Sequence, residues 1–211
     1  MSKRNTSQSS SAKLALLSAA RKLMIARGYT ATTLDEVCEE AGYTKGTFFH
    51  YFSNKEQIGK ELVHQHRQML SSLLNDAPFT QLSDPLERLC GYIDFVVSMY
   101  KDPVGDACLV GMFTEELSDS HPEIRNLCEE TFDDWVKNLQ EMLDEVQRLY
   151  TPRITFDSKG LAEHFIAVFE GAIILAKASK DIKPVKRNMD IYKNFIRSAF
   201  ELPQTERGIP Q

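Results

Sequence analysis

Thr33 to Phe52 reads TLDEVCEEAGYTKGTFFHYF. Leu34, Val37, Cys38 and Ala41 recur at i, i+3, i+4 and i+7, the stripe of a short amphipathic helix. Asp35 and Glu36 stand in its first turn, where acids suit the helix dipole, and Gly42 ends it. Thr44 then caps a second short helix, Lys45 to Phe52. Two short helices joined by a glycine turn predict a helix-turn-helix, whose second helix lies in a DNA major groove while the first crosses the backbone. Phe48 and Phe52, four apart, anchor that second helix to a core. Its outward remainder, Lys45, Gly46, Thr47, Phe49, His50 and Tyr51, holds no acid. Gly46 costs a helix roughly 1 kcal/mol against alanine, and close approach of another surface is a reason to accept that.

Outward from the motif, the apolar spacing stays helical. A first helix is expected over Ser11 to Arg27, with Leu16, Leu17, Ala20, Leu23 and Met24 inward and Gly28 as its C-cap. A fourth starts at Ser53, with Glu56 at capping-box spacing, and passes Ile58, Leu62 and Met69 to about Leu74. Five more are expected at about 85–100, 107–117, 122–150, 158–179 and 185–202. Arg153 to Phe156, RITF, reads as a connector rather than a strand. The fold class is all-α, about nine helices: a three-helix helix-turn-helix head over residues 11–60, with its motif at 33–52, and a larger body over 61–202 for effector binding and dimerisation. The Ser-rich residues 1–10 are expected to be a disordered arm, and 203–211 a loose tail.

The 211 residues are 42% hydrophobic and 26% charged, an ordinary globular composition. Mean hydropathy is −0.33 and no apolar run approaches the roughly 18–20 residues that cross a bilayer. The opening MSKRNTSQSSSAK lacks the apolar stretch of a secretory signal, so a cytoplasmic setting is expected. Four scattered cysteines, Cys38, Cys90, Cys108 and Cys128, form neither a disulfide framework nor a Cys-x-x-Cys metal pair, and neither metal nor cofactor is expected. The net charge of −5 hides an asymmetry: residues 1–60 carry nine Lys/Arg against five acids, +4, which leaves −9 for the rest. A basic head suits a polyanion such as DNA.

Ala19 to Ile58, AARKLMIARGYTATTLDEVCEEAGYTKGTFFHYFSNKEQI, resembles the TetR family of bacterial repressors. The resemblance runs through Arg-Gly-Tyr, Thr-Thr-Leu, Ala-Gly, Lys-Gly-Thr, the aromatic pair before His50-Tyr51-Phe52, and Asn-Lys-Glu. It implies a homodimeric repressor that binds a palindromic double-stranded operator and is released by a small-molecule or electrophile effector. Residue by residue, it implies that Thr33 meets a phosphate at the start of the second helix. Tyr43, Lys45, Gly46, Thr47, Phe49, His50 and Tyr51 would face DNA, and Lys55 would touch phosphate from the fourth helix. The family more often has tyrosine where Phe49 stands, so stacking or thymine-methyl packing is left to Phe49. Other readings stand beside these: Thr33 as an N-cap, His50 as a solvated histidine, Tyr51 and Phe52 as core.

Gly105 to Ser118, GDACLVGMFTEELS, followed by SHPEIR (Ser120 to Arg125), resembles a body type in which a cysteine opens the sixth helix and, in some members, responds to electrophiles or oxidants. At a helix N-terminus the Cys108 thiolate would be favoured. Lys177, which that body type places near the cysteine, is a candidate cation, and Asp106 opposes it. Alternatively, Cys108 is a small core residue and Lys177 a surface one. Met112, Phe113, Trp135 and Phe169, with Met99, Tyr100, Phe132 and Phe165, are either pocket lining or plain core. Glu115, Glu116, Glu170 and His164 are candidate polar contacts in such a pocket. The last two helices carry apolar residues on more than one face, which suggests self-association, and the resemblance makes them the dimer interface. A thiol enzyme using Cys108 and His121, and a non-specific architectural DNA binder, are the alternatives to a regulator. The enzyme has no strand-borne scaffold in this sequence.

Overall fold

The computed structural model describes residues 3–102 and 107–200, without the side chains of residues 3–10. The expected turn residues Gly105 and Asp106 and the expected tail at 203–211 lie outside the described residues. Nine α-helices occur among the described residues: α1 (Lys3–Arg27), α2 (Leu34–Ala41), α3 (Lys45–Tyr51), α4 (Lys55–Asn75), α5 (Pro85–Ser98), α6 (Leu109–Leu117), α7 (Pro122–Leu149), α8 (Ser158–Ser179) and α9 (Lys183–Ala199). One 3-10 turn, Pro78–Gln81, precedes α5.

The caps explain most boundaries. Thr33 closes a capping box on α2: its Oγ1 accepts from Glu36 N–H, and its own N–H donates to the Glu36 carboxylate. Gly42 ends α2 at φ 73, a left-handed position that glycine occupies without a Cβ penalty. Thr44 Oγ1 accepts from Thr47 N–H at the start of α3. At α4 the expected Ser53–Glu56 box is displaced by one residue: Asn54 Oδ1 accepts from Gln57 N–H, while Ser53 N–H and Oγ–H donate to Gln57 Oε1. The expected arm at 1–10 differs as well, because the α1 backbone is already helical from Lys3. No proline or glycine interrupts the chain between there and Gly28. RITF is a connector, touched by an isolated bridge between Pro152 and Phe200.

The chain divides into two compact units, Met1–Leu70 with Ala107–Thr131, and Ser71–Asp106 with Phe132–Gln211. The first gathers α1 to α3 with most of α4, all of α6 and the start of α7. Leu16, Leu17, Met24, Phe48, Phe52, Ile58 and Leu62 form its core, each 2% exposed or less. Residues 60 and 61, the expected boundary, lie within continuous α4, where Ile58, Leu62, Val63 and His66 are all buried. In the second unit α9 packs on α8 and α5. Tyr192 Oη–H donates to Leu161 carbonyl at 2.9 Å, and Arg197 forks onto Glu87 at 2.7 and 2.9 Å.

Candidate nucleic-acid interface and the α6 anchor

The two faces of α3 divide sharply. Phe48 is 0% exposed and Phe52, its C-cap, 2%, so the helix is pinned by the aromatic pair that the spacing predicts. Lys45, Gly46, Phe49 and His50 are exposed; Tyr43, Thr47 and Tyr51 are half-buried. Phe49 leaves 54% of its surface in solvent and touches only the edge of Phe48 within the described aromatic contacts. His50 and Tyr51 rings meet edge-on at 4.7 Å. A Cβ on Gly46 would find nothing in the protein nearer than Thr44 Oγ1, at 3.6 Å. Packing within the chain therefore gives no reason for glycine at this position.

Two candidate phosphate contacts, Thr33 and Lys55, have partners inside the chain. Thr33 is exposed, but its hydroxyl donates to Glu36 Oε2 at 2.7 Å, so the N-cap reading accounts for its contacts. The Lys55 ammonium turns inward, donating to the carbonyls of Tyr29 and Thr32 at 3.0 Å and of Thr30 at 3.4 Å. It also lies 4.4 Å from the centroid of the Tyr29 ring. Its donors are thus committed to the loop between α1 and α2, and it supports the motif from behind rather than reaching for phosphate. Burial lowers its pKa, with the nearby Glu116 charge working against that. Lys45 remains on the outer face, although Asp35 holds it at 2.7 Å.

Glu116, expected as an effector contact, instead holds the same loop. Its carboxylate accepts from Tyr29 N–H at 2.8 Å and Thr30 N–H at 2.7 Å. Burial alone would raise this carboxyl; hydrogen bonds from Thr30 and Tyr29 and the Lys55 charge outweigh it and lower the pKa. Gly28 is left-handed at φ 95, and a Cβ there would come within 3.0 Å of Glu116 Oε2. Tyr29 is 2% exposed and packs edge-on against Phe113 at 5.6 Å and His121 at 5.2 Å. Phe113 is therefore a packed anchor of α6 in the first unit, 0% exposed, which accords with the core alternative. His121, the base of the enzyme alternative, is occupied by Tyr29 and by Ser120 Oγ at 2.8 Å. Neither Tyr29 nor Glu116 carries a sequence signal of this role, since they meet each other across more than eighty residues.

At the other end of α6, Cys108 is the N-cap, its Sγ accepting from Gly111 N–H at 3.4 Å. It is half-buried, whereas Cys38, Cys90 and Cys128 are buried, and burial pushes the Cys90 thiol up to about 11. A cation whose charge interacts with Cys108 is Arg21 of α1, a role with no signal in the sequence. Arg21 Nη1 also lies 3.4 Å from Nδ1 of buried His66, whose pKa falls to about 4 through burial first and the Arg21 charge second. Met112 is half-buried on α6, and Lys177 half-buried on α8 of the second unit. In that unit Trp135 and Phe169 belong to one aromatic cluster with Phe165, and Trp135 Nε1–H donates to Tyr92 Oη. Among the described residues no three His, Cys, Asp or Glu side chains are grouped to hold a metal ion, and no helix is long and apolar enough to cross a membrane.

A capped helix-turn-helix with an acid-free outer face, carried on an all-α chain, defines a DNA-binding regulator. Comparison with known proteins gives the family. Residues 16–62 match the family model described as "Bacterial regulatory proteins, tetR family", and residues 85–192 match "Tetracyclin repressor-like, C-terminal domain". The chain belongs to the TetR family of transcriptional regulators, and it is not an enzyme. It is 28% identical over 191 residues to the HTH-type transcriptional repressor DhaR of Mycobacterium sp. strain GP1, covering 88% of this chain and 89% of that one. It is 23% identical over 184 residues to the HTH-type transcriptional repressor NemR of Escherichia coli K12, covering 86% and 92%. The crystal structure of the regulatory protein TetR from Rhodobacter sphaeroides superposes with a TM-score of 0.79 at 25% identity, over 90% of this chain and 99% of that one.

Proposed function

We propose that this regulator is a homodimeric repressor, working in the cytoplasm, that grips a palindromic operator with α3 of each subunit and lets go when α6 is displaced. The observation that carries the reading is the split of α3 into a buried Phe48/Phe52 face and an exposed face of Lys45, Gly46, Phe49 and His50. The unneeded glycine at 46 fits an approach by something outside the chain. Tyr43, Thr47 and Tyr51 flank that face, and Thr33 sits at the N-terminus of α2, where a backbone phosphate would be met. The relatives DhaR and NemR are both named repressors, which supports the same direction of control. The head is taken as residues 11–60 and the body as 61–202.

Two inputs reach α6 in this reading. A small molecule touching Met112 would favour one position of the helix, while Trp135 and Phe169 are effector candidates within the second unit. Modification of Cys108 would change its N-cap and the charge beside Arg21; Lys177, the counter-charge that the resemblance implies, lies in the second unit. Either input must favour the non-operator geometry by a few kcal/mol to empty the operator. The experiment is binding to a duplex selected from the gene's own upstream DNA. Lys45→Ala should weaken binding and flatten the salt dependence by up to about 0.9 in log–log slope. Unchanged affinity and slope would move the DNA face elsewhere. Cys108→Ser should abolish release by N-ethylmaleimide; persistent release in that variant leaves the small molecule as the input.

A further inference from the structure

Three cations around α2 are each paired with an acid of that helix: Lys22 with Glu40 at 2.6 Å, Arg27 with Glu36 at 2.9 Å and Lys45 with Asp35 at 2.7 Å. The first two pairs join α1 to α2, inside the head. The third joins the two helices of the motif at both of their N-termini. Asp35 is the second residue of α2, and Lys45 the first of α3.

Beyond the favourable place of Asp35 on the α2 dipole, the pairing itself adds little to the fold. Both partners are well exposed, Lys45 at 60% and Asp35 at 67%, and pairs of that exposure add little to stability. The N-terminus of α2 is already closed by the Thr33–Glu36 box, so it does not depend on Asp35 for a cap. Phe48 and Phe52 already hold α3 in place. A carboxylate at this edge is also badly placed for a surface that meets phosphates, because approaching DNA repels Asp35 while attracting Lys45.

We propose that Asp35 is an affinity-setting residue whose carboxylate occupies, on Lys45, the place that a DNA phosphate takes in the complex. The proposal rests on the reading of α3 as the DNA-contacting helix. Binding then exchanges one oxygen anion for another at the Lys45 ammonium, so the contact yields less than a free lysine would. Freeing the Asp35 carboxylate also offsets part of the charge that Lys45 brings to that phosphate, which reduces counterion release at this point without abolishing it. The device keeps affinity below what the cations of the head could deliver, and so keeps the complex releasable.

The test is a double-mutant cycle on the full chain, read by fluorescence anisotropy on a random-sequence duplex over a salt series. Asp35→Asn should bind about two- to fivefold tighter than wild type, with a log–log salt slope steeper by up to about 0.9. Asp35→Ser, which likewise removes the charge, should do the same, and melting temperatures check that both variants fold. In a Lys45→Met background the gain should largely vanish. A gain of the same size without Lys45 would show general charge repulsion and overturn the exchange, as would unchanged or weaker binding by both Asp35 variants. If Lys45→Met alone leaves affinity and slope untouched, the assignment of α3 falls, and this proposal with it.

Discussion

Two side chains from distant helices hold the short loop that leads into the motif, and they hold it from opposite chemical ends. Glu116 of α6 takes the N–H groups of Tyr29 and Thr30, and Lys55 of α4 takes the carbonyls of Tyr29, Thr30 and Thr32. Charge-assisted bonds of this kind are stronger than neutral ones, though solvent at the exposed Glu116 discounts them. Glu116→Gln keeps one acceptor but turns an amide N–H₂ toward the other N–H, and should cost about 1 kcal/mol of stability. The pH dependence follows from the lowered carboxyl pKa. The contribution is complete above the free glutamate value of about 4.3, and it is lost as pH falls through the lower folded-state value. Melting curves of wild type and Glu116→Gln should therefore differ at neutral pH and converge in acid. Lys55→Met should weaken specific binding while leaving the salt slope unchanged, because Lys55 shapes the loop rather than neutralising a phosphate. A slope reduced by about 0.9 would return Lys55 to the DNA surface.

At the scale of elements, helix ends carry the most local information. Gly42 is left-handed at φ 73, and a Cβ there would meet nothing within 4 Å. Gly42→Ala should therefore cost only its backbone strain, roughly 1 kcal/mol, and Gly42→Asn less. Gly28→Ala should cost more, since its Cβ also meets Glu116, and thermal denaturation of the three variants checks the order. Such glycines, the threonine caps and the 3.6-residue apolar stripes are local signals, which is why α2, α3, α6 and α8 were legible in the sequence to within about two residues. The anchors of the site were not. Tyr29 reads as one more aromatic after a glycine, Phe113 as either pocket lining or plain core, and Glu116 as a candidate polar contact in a pocket. Their contacts are made across the fold, where no spacing rule reaches. Lys55 shows the same limit: its residue type suits a phosphate, and only its three carbonyl partners reveal another task. The start of α1 at Lys3 differs for an opposite reason, since a polar, Ser-rich stretch has no apolar stripe to declare its backbone helical.

At the scale of the whole molecule, α8 and α9 carry apolar side chains left exposed among the described residues. Ile174 and Leu175 are 53% and 56% exposed, and Ile191 and Phe195 are 61% and 41% exposed. Meanwhile Phe165, Phe169, Ile173, Met189 and Ile196 on the same helices fill the core. A helix pair that is apolar on both sides suits an isologous contact with a second copy. Ile191→Glu and Phe195→Glu should each weaken dimerisation by about tenfold or more, seen in sedimentation as a shift to monomer with helical content retained. Operator affinity should fall with it, because one head alone reads only half a palindrome. The central claim is that α3 enters the major groove, once per subunit. A crystal structure of the protein on a duplex selected from its own upstream DNA tests it most directly. The account predicts Lys45, Phe49 and His50 of both subunits at base edges or adjacent phosphates, in half-sites about 34–36 Å apart. A complex in which α3 faces solvent or protein would contradict it.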